Sequence, residues 1–105
     1  MQMTNNNIFH FANPDDWQAA QVIGAYAPKN WQAEGFIHCA TPSQIPGVIA
    51  RHLKGRGQFI KLTLNVELLK PHLRYDWSDV SSDHYPHVYS MIDLAAVIKT
   101  ETLIL

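Results

Sequence analysis

The 105-residue chain places its helix signals in the first half only: beyond Gly55-Arg56-Gly57 no stretch reads as a helix, and the remaining residues alternate at period two or pass through polar turns. That asymmetry restricts the architecture. A doubly wound parallel sheet needs a crossover helix between successive strands, and too few remain. The order β-α-β-α-β, and then strands alone, predicts an α+β fold on a mixed or antiparallel sheet, with two short helices in the N-terminal half. At 11.9 kDa the chain suits one core without room for a regulatory module. We read residues 8–105 as a single domain and residues 1–7, with Asn5-Asn6-Asn7, as a frayed terminus.

Local signals fill in this order. Residues 8–12 read as a strand with Ile8, His10 and Ala12 on one face and Phe9 and Phe11 on the other. Asn13-Pro14-Asp15-Asp16 starts a helix that runs to Ile23 and ends at Gly24, with Trp17, Ala20 and the Val22-Ile23 pair as its apolar stripe and Trp17 as a core residue. An extended Tyr26-Ala27-Pro28 leads into a polar connection, 29–34, that holds Trp31 and is able to cover a site. Residues 35–42 then combine a glycine, a strand with His38 inside it and a helix start. Thr41-Pro42-Ser43-Gln44 fits a capping box, and Ile45, Val48, Ile49 and Leu53 continue at helical spacing although Pro46 and Gly47 weaken the first turns. Residues 59–66 read as a central strand, 67–71 as a turn, 73–77 as a strand, 78–85 as a loop and 86–89 as extended. A tight turn at 90–94 precedes one or two closing strands from Ala95 to Leu105.

Eight Lys and Arg against nine Asp and Glu give a net charge of -1 and a pI near 6.6, which predicts no general attraction to nucleic acid or anionic membranes. No apolar run approaches the roughly 18 residues of a membrane span. Cys39 stands alone and cannot form an internal disulfide, and no N-terminal stretch resembles a secretion signal, so the expectation is a cytoplasmic protein.

Six histidines are the compositional oddity. His10, His38 and His87 fall on predicted strands, whereas His52, His72 and His84 fall on a helix end or in loops. Ala12 beside His10, and Ala40 beside His38, leave room for a ligand. Taken singly such a histidine is usually a hydrogen-bonded structural residue; the three together form a candidate shared site. A histidine-bound metal is the competing use, but no His-x-x-x-His or Cys-x-x-Cys occurs, and no metal is expected. Cys39 cannot pair with His38 as a nucleophile, because adjacent strand residues face opposite ways, and it reads as a small core residue. Tyr89 shares a strand face with His87, and Tyr26, Trp31 and Tyr85 are loop aromatics able to close over a ligand. Gly55-Arg56-Gly57 is too short, and wrongly placed after a helix, to be a phosphate loop. The helix start at Thr41-Pro42 offers free amides as an anion-binding edge.

Ile8-Phe9-His10, Trp17, Glu34-Gly35-Phe36-Ile37-His38-Cys39 and Pro86-His87-Val88-Tyr89 together resemble the small bacterial proteins of domain-of-unknown-function family 952. That family is similar in fold to the ADP-ribosyltransferases, with the RNA 2′-phosphotransferases as the nearest functional relatives. The resemblance implies an ADP-ribosylation-like fold whose bent, split sheet holds NAD in a cleft. By the same resemblance His10 would hold a ribose hydroxyl, His38 would line the cleft from the neighbouring strand, and His87 with Tyr89 would stand at the reacting end. The glutamate many of those transferases carry in that third segment has no counterpart between Pro86 and Lys99, and their phosphate-gripping arginines have no clear match. The functional expectation is a binder of NAD, ADP-ribose or a related nucleotide, with His38 and His87 catalytic if transfer or hydrolysis occurs at the nicotinamide ribose. His10, His38, Tyr89 and Thr41 would contact the cofactor. The alternatives are a non-enzymatic module that binds a nucleotide or partner protein, and a histidine metal site.

Overall fold

Alternation along β1 (Ile8–Ala12) settles which side of the strand is core: Ile8, His10 and Ala12 are buried, while Phe9 and Phe11 are half-buried on the other face. The computed structural model describes residues 7–105, so the expected frayed terminus falls outside the described residues except at Asn7. β1 pairs antiparallel with β4 (Gln58–Leu64), placing His10 opposite Leu62, and β4 pairs on its other edge with β8 (Val97–Ile104). β4 is therefore the central strand that its apolar alternation predicts.

The first helix, α1 (Pro14–Ile23), has the expected bounds. Asn13 Oδ1 accepts the amides of Asp15 at 2.8 Å and Asp16 at 3.4 Å, Pro14 occupies the first turn, and the Gly24 amide closes the helix on the Ala20 carbonyl at 2.8 Å. Its stripe is narrower than expected. Ala20 is buried and Trp17 packs on the core, but Val22, on the opposite side of the helix from Ala20, is 86% exposed, and Ile23, the last residue of the helix, is 67% exposed.

Several short elements replace expected loops. β2 (Ala25–Tyr26) pairs antiparallel with β7 (Ile92–Asp93), so the segment read as a tight turn carries a strand. The polar connection winds into a single turn, α2 (Trp31–Glu34), before β3 (Ile37–His38). The second helix is three pieces: a 3-10 turn at Pro42–Gln44, α3 (Ile45–Val48) and a π-turn at Ile49–Leu53. Pro46 carries no amide hydrogen and Gly47 has little helix propensity, so the segment changes pitch instead of holding one. The turn after β4 is α4 (Val66–Leu69) running into a 3-10 turn at Lys70–His72. β5 (Leu73–Ser78) and β6 (Asp83–Val88) form an antiparallel hairpin, so the expected loop ends at residue 82 and His84 belongs to a strand. A 3-10 turn at Leu94–Ala96 displaces the start of β8 from Ala95 to Val97.

The architecture is α+β with antiparallel pairing throughout the described residues, shared among three small sheets ordered β1-β4-β8, β2-β7 and β3-β6-β5. The first and third sheets touch at one bridge, where Phe9 and Ala40 exchange backbone hydrogen bonds at 2.8 Å each way. Ile8, Tyr26, Ile37, Leu62, Leu64, Val88 and Ile92 form the centre of the core. Among the described residues, no helix is long and apolar enough to cross a membrane.

Candidate functional site

Antiparallel pairing of β3 with β6 sets His38 directly opposite His87, and directly opposite residues share a face. Their rings lie 5.2 Å apart at 82°. Phe36 stacks on His87 at 4.0 Å and meets His38 edge-on at 4.9 Å, so one phenyl ring spaces the two imidazoles. The chain reaches this geometry through Gly35, whose φ of +90° closes α2 and turns into β3, a conformation open to glycine at little cost.

A carboxylate stands behind each imidazole. Glu34 Oε1 accepts from His38 Nε2 at 2.6 Å, and Asp76 Oδ2 accepts from His87 Nδ1 at 2.7 Å. Asp76 comes from β5, diagonally across the hairpin from His87, which faces Arg74. Tyr89 donates its hydroxyl to the same Asp76 oxygen at 2.5 Å. Because carboxylates only accept, these partners assign the proton to Nε2 of His38 and Nδ1 of His87. His38 Nδ1 and His87 Nε2 are then left without a protein partner among the described residues.

The electrostatics follow from the contacts. Hydrogen bonds from Tyr89 and then His87 hold the Asp76 carboxyl below its usual range, and the same bond pushes the Tyr89 hydroxyl up. Burial lowers His87, with the Asp76 hydrogen bond opposing it, so His87 is a neutral base near pH 7. The two imidazoles also differ in access: the His87 side chain is 13% exposed and that of His38 64%.

His10 joins them differently. Its ring lies on the core face of β1, 7% exposed, with Nδ1 donating to the His38 carbonyl at 2.5 Å and Nε2 accepting the Tyr26 hydroxyl at 2.7 Å. Burial lowers its pKa to about 4, so it is neutral. Ala12, beside which a ligand was expected to have room, is fully buried, and the Tyr26 ring lies 5.1 Å from that of His10. His10 thus braces the backbone of His38. Cys39 is buried with its thiol pushed well up by desolvation, as suits a core residue.

Thr41 faces elsewhere. It borders a separate shallow depression of about 380 Å³ with Val66, Glu67 and Lys70. Its amide is taken by Gln44 Oε1 at 2.9 Å, and the helical turn behind it has only three residues, so the anion-binding edge expected there does not form.

All three strand histidines contribute to one cleft of about 580 Å³. Phe9 and Phe11 line it from β1, Val48, Arg51 and His52 from the broken helix, and Trp77, Val80 and Tyr85 from the β5–β6 hairpin. Of the loop aromatics expected over a ligand, Tyr85 lines the cleft, whereas Tyr26 is buried and Trp31 packs on the core. Tyr89 adjoins the cleft wall through Asp76. Among the described residues no three His, Cys, Asp or Glu side chains are placed together to hold a metal ion.

Glu34, Phe36, Asp76, Arg51 and Trp77 belong to the site without having been expected there. Glu34 and Phe36 flank Gly35 in the stretch that carries His38, four and two residues away, and spacing alone could have nominated them. Asp76 needs the β5–β6 register, which no local signal in the chain provides.

The protein is similar in fold to protein CC0527 from Caulobacter crescentus, whose X-ray crystal structure superimposes with a TM-score of 0.84 at 23% identity, covering 92% of this chain and 85% of that one. A double mutant of the same protein matches with a TM-score of 0.83 at 22% identity over the same shares. At such identities the likeness is one of fold. No curated protein matches the chain. The family model described as "Protein of unknown function (DUF952)" matches residues 11–100, and the chain belongs to that family.

Proposed function

We propose that the cleft binds NAD, ADP-ribose or a related nucleotide on an ADP-ribosyltransferase-like scaffold, and that His38 and His87 are its catalytic residues, with His87 as the general base. The observation that carries this reading is the facing pair of imidazoles, each backed by a carboxylate and each keeping one ring nitrogen free, on the wall of an aromatic-lined cleft. His10 supports the site as a positioning residue. Asp76 compensates for the missing glutamate of the third segment, since it holds negative charge beside His87 from a different strand. The reading takes the protein as cytoplasmic, where Cys39 stays reduced.

The reaction that fits is hydrolysis at the nicotinamide ribose. Water adds to the ribose carbon as the glycosidic bond breaks, nicotinamide leaves with the bonding electron pair, and the water proton passes to the free nitrogen of His87. Glu34 and Asp76 lend negative charge to the cationic ribosyl centre. A positioned general base typically contributes about 10²–10⁴-fold, so His87→Ala is expected to lose activity in that range without unfolding. Activity also falls below neutrality, through a His87 pKa that burial has lowered from 6.5.

Calorimetric titration with NAD and ADP-ribose, and then a nicotinamide-release assay, tests this. Binding and release, with release lost in His87→Ala, support the enzyme reading. Binding without release makes the cleft a nucleotide-binding module instead. No heat with either compound sinks the nucleotide reading.

A further inference from the structure

We infer that Arg51 is a preset anion-recognition residue and that the molecule held in this cleft presents a phosphate or pyrophosphate group to it. This deepens the nucleotide reading above and rests on the ligand occupying the same cleft. Arg51 sits in the π-turn at Ile49–Leu53, a wide turn of a kind often found at functional sites. Its guanidinium lies directly on Gly47: a Cβ at that position would come within 2.9 Å of Nη1 and 3.2 Å of Nη2. From the other side, Nη2 donates to the Tyr85 hydroxyl at 2.8 Å.

The guanidinium is thus pinned between a glycine and a tyrosine across the cleft wall, and it is held there without a carboxylate. Among the described residues no Asp or Glu lies within ion-pair distance of it. That arrangement is unusual for a surface arginine, whose ordinary uses are an ion pair or free solvation. Tyr85 engages one of five N–H donors, and the rest of the fork is free to bind two oxygens of a tetrahedral anion side by side. The Tyr85 hydrogen bond and the Gly47 contact hold the side chain on the cleft wall, which lowers the entropic cost of binding. His52, on the same turn, also lines the cleft. The glycine at 47, a weak helix former in the middle of a short helix, leaves room for the guanidinium to rest against the backbone.

The competing role for Arg51 is a strut that ties the broken helix to the hairpin, and inorganic pyrophosphate distinguishes the two. Calorimetry with pyrophosphate against the intact protein, Arg51→Gln, Gly47→Ala and Tyr85→Phe is the experiment, with thermal unfolding of each variant alongside. The expected result is binding by the intact protein that weakens about 10- to 100-fold in Arg51→Gln, the range for losing charge-assisted hydrogen bonds. Gly47→Ala, which displaces the guanidinium but keeps its charge, weakens binding as well. Tyr85→Phe removes the strut but keeps the guanidinium and its charge, so it weakens binding less than Arg51→Gln does. No pyrophosphate binding, or equal binding in Arg51→Gln, overturns the proposal; should Arg51→Gln fail to fold, undiminished binding in Gly47→Ala does so. ADP-ribose is titrated in parallel. If it binds the intact protein no more tightly than pyrophosphate does, the nucleotide reading fails while the anion site stands.

Discussion

His10 is a neutral ring with one donor and one acceptor, each with its partner, and the fold depends on its staying neutral. The unfolded chain protonates this histidine near pH 6.5, whereas the folded chain resists until about pH 4. Between those values the unfolded state binds a proton that the folded state refuses. The stability is therefore fully present above pH 6.5 and falls as the pH drops toward 4, by about 3 kcal/mol in all. Urea denaturation at pH 7.5 and 4.5 measures this, and His10→Leu should flatten most of the difference. A remainder of the same sign persists from His87, which burial also lowers. At pH 7.5 the same substitution costs about 1–3 kcal/mol, because the His38 carbonyl and Tyr26 hydroxyl lose their partner. Period two alone put His10, His38 and His87 on strands, but it cannot say which face of a strand is core. The small Ala12 beside His10 marked close packing, not an opening. Asp76 stayed hidden for a different reason: its tie to His87 runs across the hairpin, and register is a property of two strands.

Elements with complete local punctuation were legible in full. α1 carries its cap, its proline and its closing glycine in sequence, and its limits could be read to the residue. The segment 42–53 has a capping signal too, yet Pro46 and Gly47 divide it into turns of three different pitches, and their outcome depends on what Arg51 and Gln44 reach in the hairpin. Gly35 is the joint that matters most to the site, since it fixes Glu34 on one side and Phe36 and His38 on the other. Gly35→Ala meets no neighbouring atom, so its penalty is conformational and amounts to about 1 kcal/mol for a side chain at positive φ. The expected outcome is that loss in urea denaturation, together with altered NMR chemical shifts of the His38 ring as Glu34 moves. Unchanged ring shifts would show that the pair does not depend on this turn.

For the molecule as a whole, the α+β class was readable because helix signals are confined to one half of the chain. The division into three antiparallel sheets was not, since alternation reveals strands but not their neighbours. Leu62 tests the core: it is fully buried on the central strand opposite His10. Leu62→Ala should cost about 2–5 kcal/mol, read as a lower urea midpoint. The two sheets that build the site also differ in how far apart their strands lie along the chain. β5 and β6 meet across a short turn, so His87 and Asp76 come from neighbouring segments; β1 must find β4, and β4 must find β8, across long intervening stretches. Local hairpins form within about 1–10 μs, whereas pairings that close long loops are slow. The consequence is an order of assembly. The half of the site that holds His87 can form early and alone, and His38 reaches it only when β3 docks. Anything that delays that late step during synthesis leaves a finished His87–Asp76 pair facing solvent before His38 arrives.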